Sequence, residues 1–164
     1  MQEFEIKIFE IDKDKVISTL VDQWAIMMSD DILLAYFFIN DNWQKLRLRK
    51  INDTNILTYK EKISNDNVMH NLEYEVTVND FDIMVNMLIQ LGFKKYWEST
   101  KQRMAYKLGN IIYDFDKLEN IPWFVEIESD NEKDLEEWVK KIWYNLSDWN
   151  TLTERQVKEH YWVA

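Results

Sequence analysis

The sequence predicts an α+β fold, with helices packed on a strand-rich sheet or around a barrel. Three observations carry it. Charged residues stand two apart in seven short stretches, amphipathic segments of helical spacing lie between them, and 164 residues hold only two glycines and one proline. Residues two apart on a strand point to one face. Each stretch therefore shows a charged face and, in most cases, an apolar one.

The elements follow in order. Glu3–Phe9 alternates as a strand. After the polar break at Asp12–Lys15, Val16, Leu20, Val21 and Trp24 predict a helix to about Met28. Leu33–Phe38 reads as a buried strand. Trp43–Ile51 and Leu57–Ile63 read as two strands joined by a turn at Asn52–Asn55. Asn65–Asn67 is a loop and Leu72–Val78 another strand. Asp80 caps a helix carrying Phe81, Met84, Val85, Leu88 and Leu91, which Gly92 ends. Lys101–Lys107 and Ile111–Asp116 form a hairpin about Gly109-Asn110. Phe124–Glu128 is the last clear strand. Asp130 or Asn131 starts a helix whose buried stripe is Leu135, Trp138, Val139, Ile142 and Leu146. Thr153 and Gln156 form a capping box for a short last helix.

At this length the chain is expected to be one domain, residues 1–164, with a helical C-terminal segment over 131–164. Nearly half of it is apolar, so it can build a core. A formal net charge of −10 excludes non-specific nucleic-acid binding, which needs an excess of Lys and Arg. The absence of cysteine excludes disulfides and thiolate metal sites. The N-terminus lacks the basic and apolar regions of a signal peptide, and no apolar run approaches the ~18 residues of a membrane span. The expected location is cytoplasmic.

The seven stretches carry the chemistry. They are Glu3/Glu5/Lys7, Arg47/Arg49, Lys60/Lys62, Glu73/Glu75, Lys101/Arg103, Asp114/Asp116 and Glu126/Glu128. Alternation of charged with apolar residues ordinarily means a sheet with one wet face. That explains each pair alone, but it does not predict blocks of acids and bases in turn. Nor does it explain Arg47 and Arg49 without acidic neighbours, since like charges repel unless an anion joins them. Carboxylates hold a divalent cation, and bases hold a polyphosphate.

These residues resemble a known family. Glu3-Phe4-Glu5-Ile6-Lys7 is similar to the N-terminal ExExK signature of the CYTH superfamily, the triphosphate tunnel enzymes, which joins class IV adenylyl cyclases with thiamine triphosphatases. Arg47-Leu48-Arg49 resembles its RxR strand, and Thr58-Tyr59-Lys60 its T-Y-K strand. Glu73-Tyr74-Glu75 and Leu91-Gly92-Phe93 resemble the cyclase-like branch. Lys101-Gln102-Arg103, followed by Asp116, resembles the KxR strand, and Ile121–Glu128 the closing ExE segment. The resemblance runs in order over residues 3–128. Ala35–Asp41 departs from the family's aromatic and acidic segment, and Trp123 is bulky for its place.

The resemblance implies an antiparallel, closed or nearly closed barrel of eight strands, charged inside, with helices outside. Phe4, Ile6, Leu46, Leu48, Val125 and Ile127 would then face outward. It implies a triphosphate ligand, held by Lys7, Arg47, Arg49, Lys60, Lys101 and Arg103. Lys62 is either a further ligand or a solvated strand end. Glu73 and Glu75 either position these bases or bind a second metal. Glu3, Glu5, Glu126 and Glu128, with Asp116 next, are the candidates for Mg2+ or Mn2+. Asp114, close to the hairpin turn, is expected at the surface. Lys60, Asp116 and Arg103 are the catalytic candidates.

The implied substrate is ATP, inorganic triphosphate or thiamine triphosphate, with neither nucleic acid nor membrane as partner, in a monomer or homodimer. Cyclisation of ATP to cyclic AMP and pyrophosphate comes first among the implied activities. Hydrolysis of a triphosphate is the alternative, and binding of a nucleotide or polyphosphate without catalysis a further one.

Overall fold

The computed structural model describes residues 2–65 and 68–161. Asp66 and Asn67 of the expected loop, and Trp162, lie outside the described residues. The strands are β1 (Gln2–Ile8), β2 (Ile26–Ile39), β3 (Lys45–Ile51), β4 (Thr54–Asn65), β5 (Met69–Val78), β6 (Lys94–Leu108), β7 (Ile111–Leu118), β8 (Phe124–Ser129) and the short β9 (Trp149–Asn150). The helices are α1 (Lys13–Asp22), α2 (Phe81–Gln90), α3 (Glu132–Lys141) and α4 (Glu154–His160).

The strands run in the order β5-β4-β3-β2-β6-β7-β8-β1, and β1 also pairs with β5, so eight antiparallel strands close into a barrel. Closure uses β1 on both edges. Its first half pairs with β5 (Glu3 with Asn71, Glu5 with Met69), and its second half pairs with β8 (Glu5 with Glu128, Lys7 with Glu126). Where β5 has left, β9 takes its place beside Lys7 and Ile8. The segment expected to be helical over 131–164 therefore contains a strand. Closure also reduces the open edge that so many strands would otherwise have to protect.

Outside the barrel, Ile6, Ile8, Tyr113, Phe115, Val125 and Ile127 are buried. They join Val16 and Leu20 of α1 with Leu135 and Val139 of α3 in one apolar cluster. On another flank Phe38 and Leu48 pack with Leu88 of α2. Phe38→Ala should remove about 3–5 kcal/mol of stability, because the ring is fully buried between a strand and a helix. Urea denaturation measures this, and a loss below ~1 kcal/mol would mean that α2 does not seal this flank. Among the described residues no helix is long and apolar enough to cross a membrane.

The caps explain where the helices begin. Asp80 accepts from the Ile83 amide at 2.8 Å, and Asn131, rather than Asp130, caps α3. Thr153 and Gln156 form the expected reciprocal box, with the Gln156 side chain accepting from the Thr153 amide at 2.9 Å. Gly92 follows α2 with φ +88°, the left-handed turn that favours glycine. One expectation needs correction. The first helix stops at Asp22 instead of Met28, and Ile26, Met27 and Met28 open β2. Trp24 turns left-handed at φ 71°, the Trp24 and Ala25 amides donate to Val21 and Leu20, and the chain leaves as a strand.

Candidate functional site

Period-two alternation around a closed barrel gathers the charged faces inside. A cavity of about 680 Å³ runs through it, within the range of small-molecule sites. Glu3, Glu5 and Lys7 of β1 line it, with Arg47 and Arg49 of β3 and Lys60 and Lys62 of β4. Glu73 and Glu75 of β5, Lys101 and Arg103 of β6, and Glu126 and Glu128 of β8 complete the set. Asp116 is fully buried behind this lining, and the aspartate of β7 that reaches the cavity is Asp114. The expectation of a surface Asp114 is thus corrected. It is 5% exposed, because β7 continues as barrel wall to Leu118 and pairs Asp114 with Ala105 and Glu126.

The ion pairs form three groups. Arg103 is the hub of the first, donating to Asp114, to Glu126, and to both oxygens of Asp116 at 2.7 and 2.6 Å. Lys101 joins it through Asp116 at 2.5 Å. In the second, Lys60 lies 2.6 Å from Glu3, 3.1 Å from Glu5 and 3.0 Å from Glu73, while Lys7 pairs with Glu5 and, at 3.3 Å, with Glu126. The third is looser. Arg47 is 3.9 Å from Glu73 and 3.6 Å from Glu75, and Arg49 is 3.5 Å from Glu75. The Nε atoms of Arg47 and Arg49 are buried without a hydrogen-bond partner among the described residues. Lys62 lines the cavity, is exposed, and forms no ion pair among the described residues.

The charges shift one another strongly. Burial alone would raise Glu5, but Lys7 and Lys60 outweigh it and hold the carboxyl at about 2. Burial would lower Lys60, yet Glu5, Glu3 and Glu73 raise it above the ordinary lysine range, so it stays protonated. Arg49 moves the other way. Burial, then the charges of Arg47 and Arg103, bring it down to about 10. Two bases crowded without sufficient counter-charge are what an anion relieves.

On the acidic wall, burial raises Asp114 to about 6, with Asp116 and Glu126 adding to the effect and Arg103 opposing it. Burial, then Asp114, Glu3 and Glu5, push Glu128 well above the usual carboxylate range. Among the described residues no lysine or arginine forms an ion pair with Glu128. Two sets of carboxylate oxygens converge to within 4.8 Å, Glu3 with Glu5 and Glu128, and Asp114 with Glu126 and Glu128. An all-oxygen set crowded around an uncompensated carboxyl fits a hard divalent cation. Asp116 belongs to neither set.

Two contributors were not among the site residues expected from the sequence. Asp114, expected at the surface, is one. Glu154, the first residue of α4, is the other: it reaches the cavity and lies 3.1 Å from Lys101, which holds it below the usual range despite burial. In the sequence it reads only as an acidic first turn, and only the docking of α4 reveals it. Outside the cavity, Tyr36 packs edge-on against Phe81 of α2, and His70 stacks on Phe4.

A closed antiparallel barrel that turns its ion pairs inward and its apolar faces outward is a charged-tunnel protein. The chain belongs to the CYTH family, whose domain model matches residues 1–161. It has the triphosphate-tunnel fold. It is similar to the PH1012 protein of Pyrococcus horikoshii, with 22% identity and a TM-score of 0.83 over 94% of this chain and 98% of that one. A conserved hypothetical protein of Pyrococcus furiosus is 25% identical, with a TM-score of 0.82 over 94% of this chain and 99% of that one. A Hippeastrum protein named for adenylyl cyclase, and described as revealing a dominant triphosphatase activity, is 14% identical, with a TM-score of 0.66 over 97% and 95%. Among curated proteins no sequence matches.

Proposed function

We propose that this protein is a metal-dependent enzyme acting on a triphosphate inside the barrel, and that its reaction is the cyclisation of ATP. The observation that carries the first part is the pair Arg47 and Arg49, with unpartnered buried Nε donors, sharing one cavity with two convergent carboxylate sets. A triphosphate brings about four negative charges at neutral pH, and guanidinium forks orient phosphate better than ammonium does. Arg47 and Arg49 orient the chain of phosphates. Lys7, Lys60, Lys101 and Arg103 supply positive charge along it. Lys60, held protonated, stabilises charge and does not take a proton. Asp116 touches Arg103 and Lys101 from behind, so it is a positioning residue.

Glu3, Glu5, Glu126 and Glu128, with Asp114, would hold Mg2+ or Mn2+. Such an ion, when bound, supplies charge neutralisation at the reacting phosphate. In cyclisation the ribose 3′-oxygen bonds to the α-phosphorus, the bond from that phosphorus to the bridging oxygen breaks, pyrophosphate leaves, and the hydroxyl proton is released. Glu73-x-Glu75, Leu91-Gly92-Phe93 and Lys101-x-Arg103 support this reaction through their resemblance to the cyclase branch. Hydrolysis at the terminal phosphorus is the second reading, favoured by the activity attributed to the Hippeastrum protein.

Incubation with ATP, inorganic triphosphate and thiamine triphosphate in Mg2+ or Mn2+, followed by product identification, tests both. Cyclic AMP with pyrophosphate is expected from ATP, and no cyclic product from 3′-deoxy-ATP, which lacks the nucleophile. EDTA should abolish turnover. Orthophosphate without cyclic nucleotide moves the assignment to triphosphatase, and no turnover of any of the three refutes an enzyme of this class.

A further inference from the structure

Three aromatic rings stand together in the cavity wall: Phe37 of β2 and Tyr96 and Trp97 of β6. Neighbours on a strand ordinarily face opposite ways, so Tyr96 and Trp97 should not share a cavity. Here the register slips. Phe37 pairs with Trp97 and Phe38 with Lys95, leaving Tyr96 as the extra residue of a bulge. A bulge re-aims a side chain, and bulges recur beside binding sites. Phe37 and Trp97 stack with centroids 4.6 Å apart and planes 29° from parallel. Both are only partly buried, and Tyr96 is 39% exposed.

The rings begin where the bases end. Phe37 is the cross-strand partner of Arg47. Along β6 the inward residues run Arg103, Lys101, Ser99, Trp97, so Trp97 stands ~13 Å along the strand from Lys101. Partly exposed aromatic rings beside a phosphate-binding wall are the combination that holds a ring joined to phosphates.

We propose that Phe37, Tyr96 and Trp97 form a subsite for a planar heteroaromatic group carried by the triphosphate, so that the protein selects an organic triphosphate over the inorganic one. The inference rests on the triphosphate reading of the basic wall. It also faces a competing role for the rings as the seat of α4, since Lys158 Nζ lies 5.3 Å from the Trp97 centroid.

The test is calorimetric titration of wild type, Trp97→Ala and Tyr96→Ala with ATP, thiamine triphosphate and inorganic triphosphate. Wild type should bind ATP or thiamine triphosphate at least about tenfold more tightly than inorganic triphosphate, and whichever is preferred identifies the ring. Trp97→Ala should lose about tenfold or more for that ligand while inorganic triphosphate changes by less than about twofold. Tyr96→Ala, at a half-exposed position, should fold normally and show the same selective loss in smaller measure. Equal losses for all three ligands would mean that the rings only seat α4, and wild type without preference would also overturn the subsite. In both cases the triphosphate reading stands; binding of none of the three would overturn that reading itself.

Discussion

Glu128→Gln should make the metal-free protein more stable and nearly abolish the proposed turnover. Glu128 sits in both carboxylate sets and is pushed well above the usual range by burial and by Asp114, Glu3 and Glu5. A carboxyl with a folded pKa above its unfolded one stabilises the fold only while protonated. That contribution is complete below the unfolded value of about 4.3 and is lost as pH rises through the folded value. As pH rises through that folded value the metal-free wild type therefore loses this contribution, and the isosteric amide, which does not titrate, does not. The variant should melt higher, by about 2–4 °C per kcal/mol relieved, and the gap should close towards pH 4.

Mn2+ should reverse the ranking, because wild type gains a ligand at Glu128 that the variant lacks. Turnover should fall on the order of 10²-fold or more. Thermal melts with and without Mn2+ across this pH range, together with rates, measure both effects. A metal-free variant that melts lower, with an undiminished Mn2+ shift, contradicts the assignment.

Arg103→Ala should be the most damaging single change in the barrel. Its guanidinium binds Asp114, Asp116 and Glu126, and Asp116 is fully buried. Its removal leaves three carboxylates that, among the described residues, pair otherwise only with Lys101 and Lys7. Breaking a buried network in this way costs about 3–5 kcal/mol, and a positively charged group facing the phosphates is lost as well. Arg103→Lys should recover part of the stability, since one ammonium cannot span three carboxylates, and little of the activity. Urea denaturation with rate measurement tests this. A stable, active Arg103→Ala would mean that the hub is ornamental.

The barrel was legible because alternation is local. Glu3/Glu5/Lys7, Arg47/Arg49 and Glu126/Glu128 announce one charged face from the sequence alone, and Ile6, Leu48 and Ile127 turn outward as period two requires. Asp114 was misplaced for a physical reason. Proximity to the Gly109-Asn110 turn suggests solvent, but β7 continues as barrel wall between β6 and β8, and the group Asp114 meets is Arg103. Trp24 hid the end of α1, since only backbone geometry shows that a bulky residue takes the left-handed turn usually given to glycine. Glu154 and Tyr96 depend on tertiary packing and on a register slip, neither of which leaves a periodic trace.

Closure by β1 has a consequence for how the molecule comes into being. Glu3 and Glu5 meet Glu128 only across a separation of about 120 residues, so this carboxylate set cannot exist until the barrel closes, whereas Asp114, Glu126 and Glu128 need only β7 beside β8. Long-range pairing is the slow, entropically costly part of folding. A ligand that recognises both walls has nothing to grip until the last seam is zipped. It therefore acts as a clasp, slowing the opening of the finished barrel without hastening its assembly.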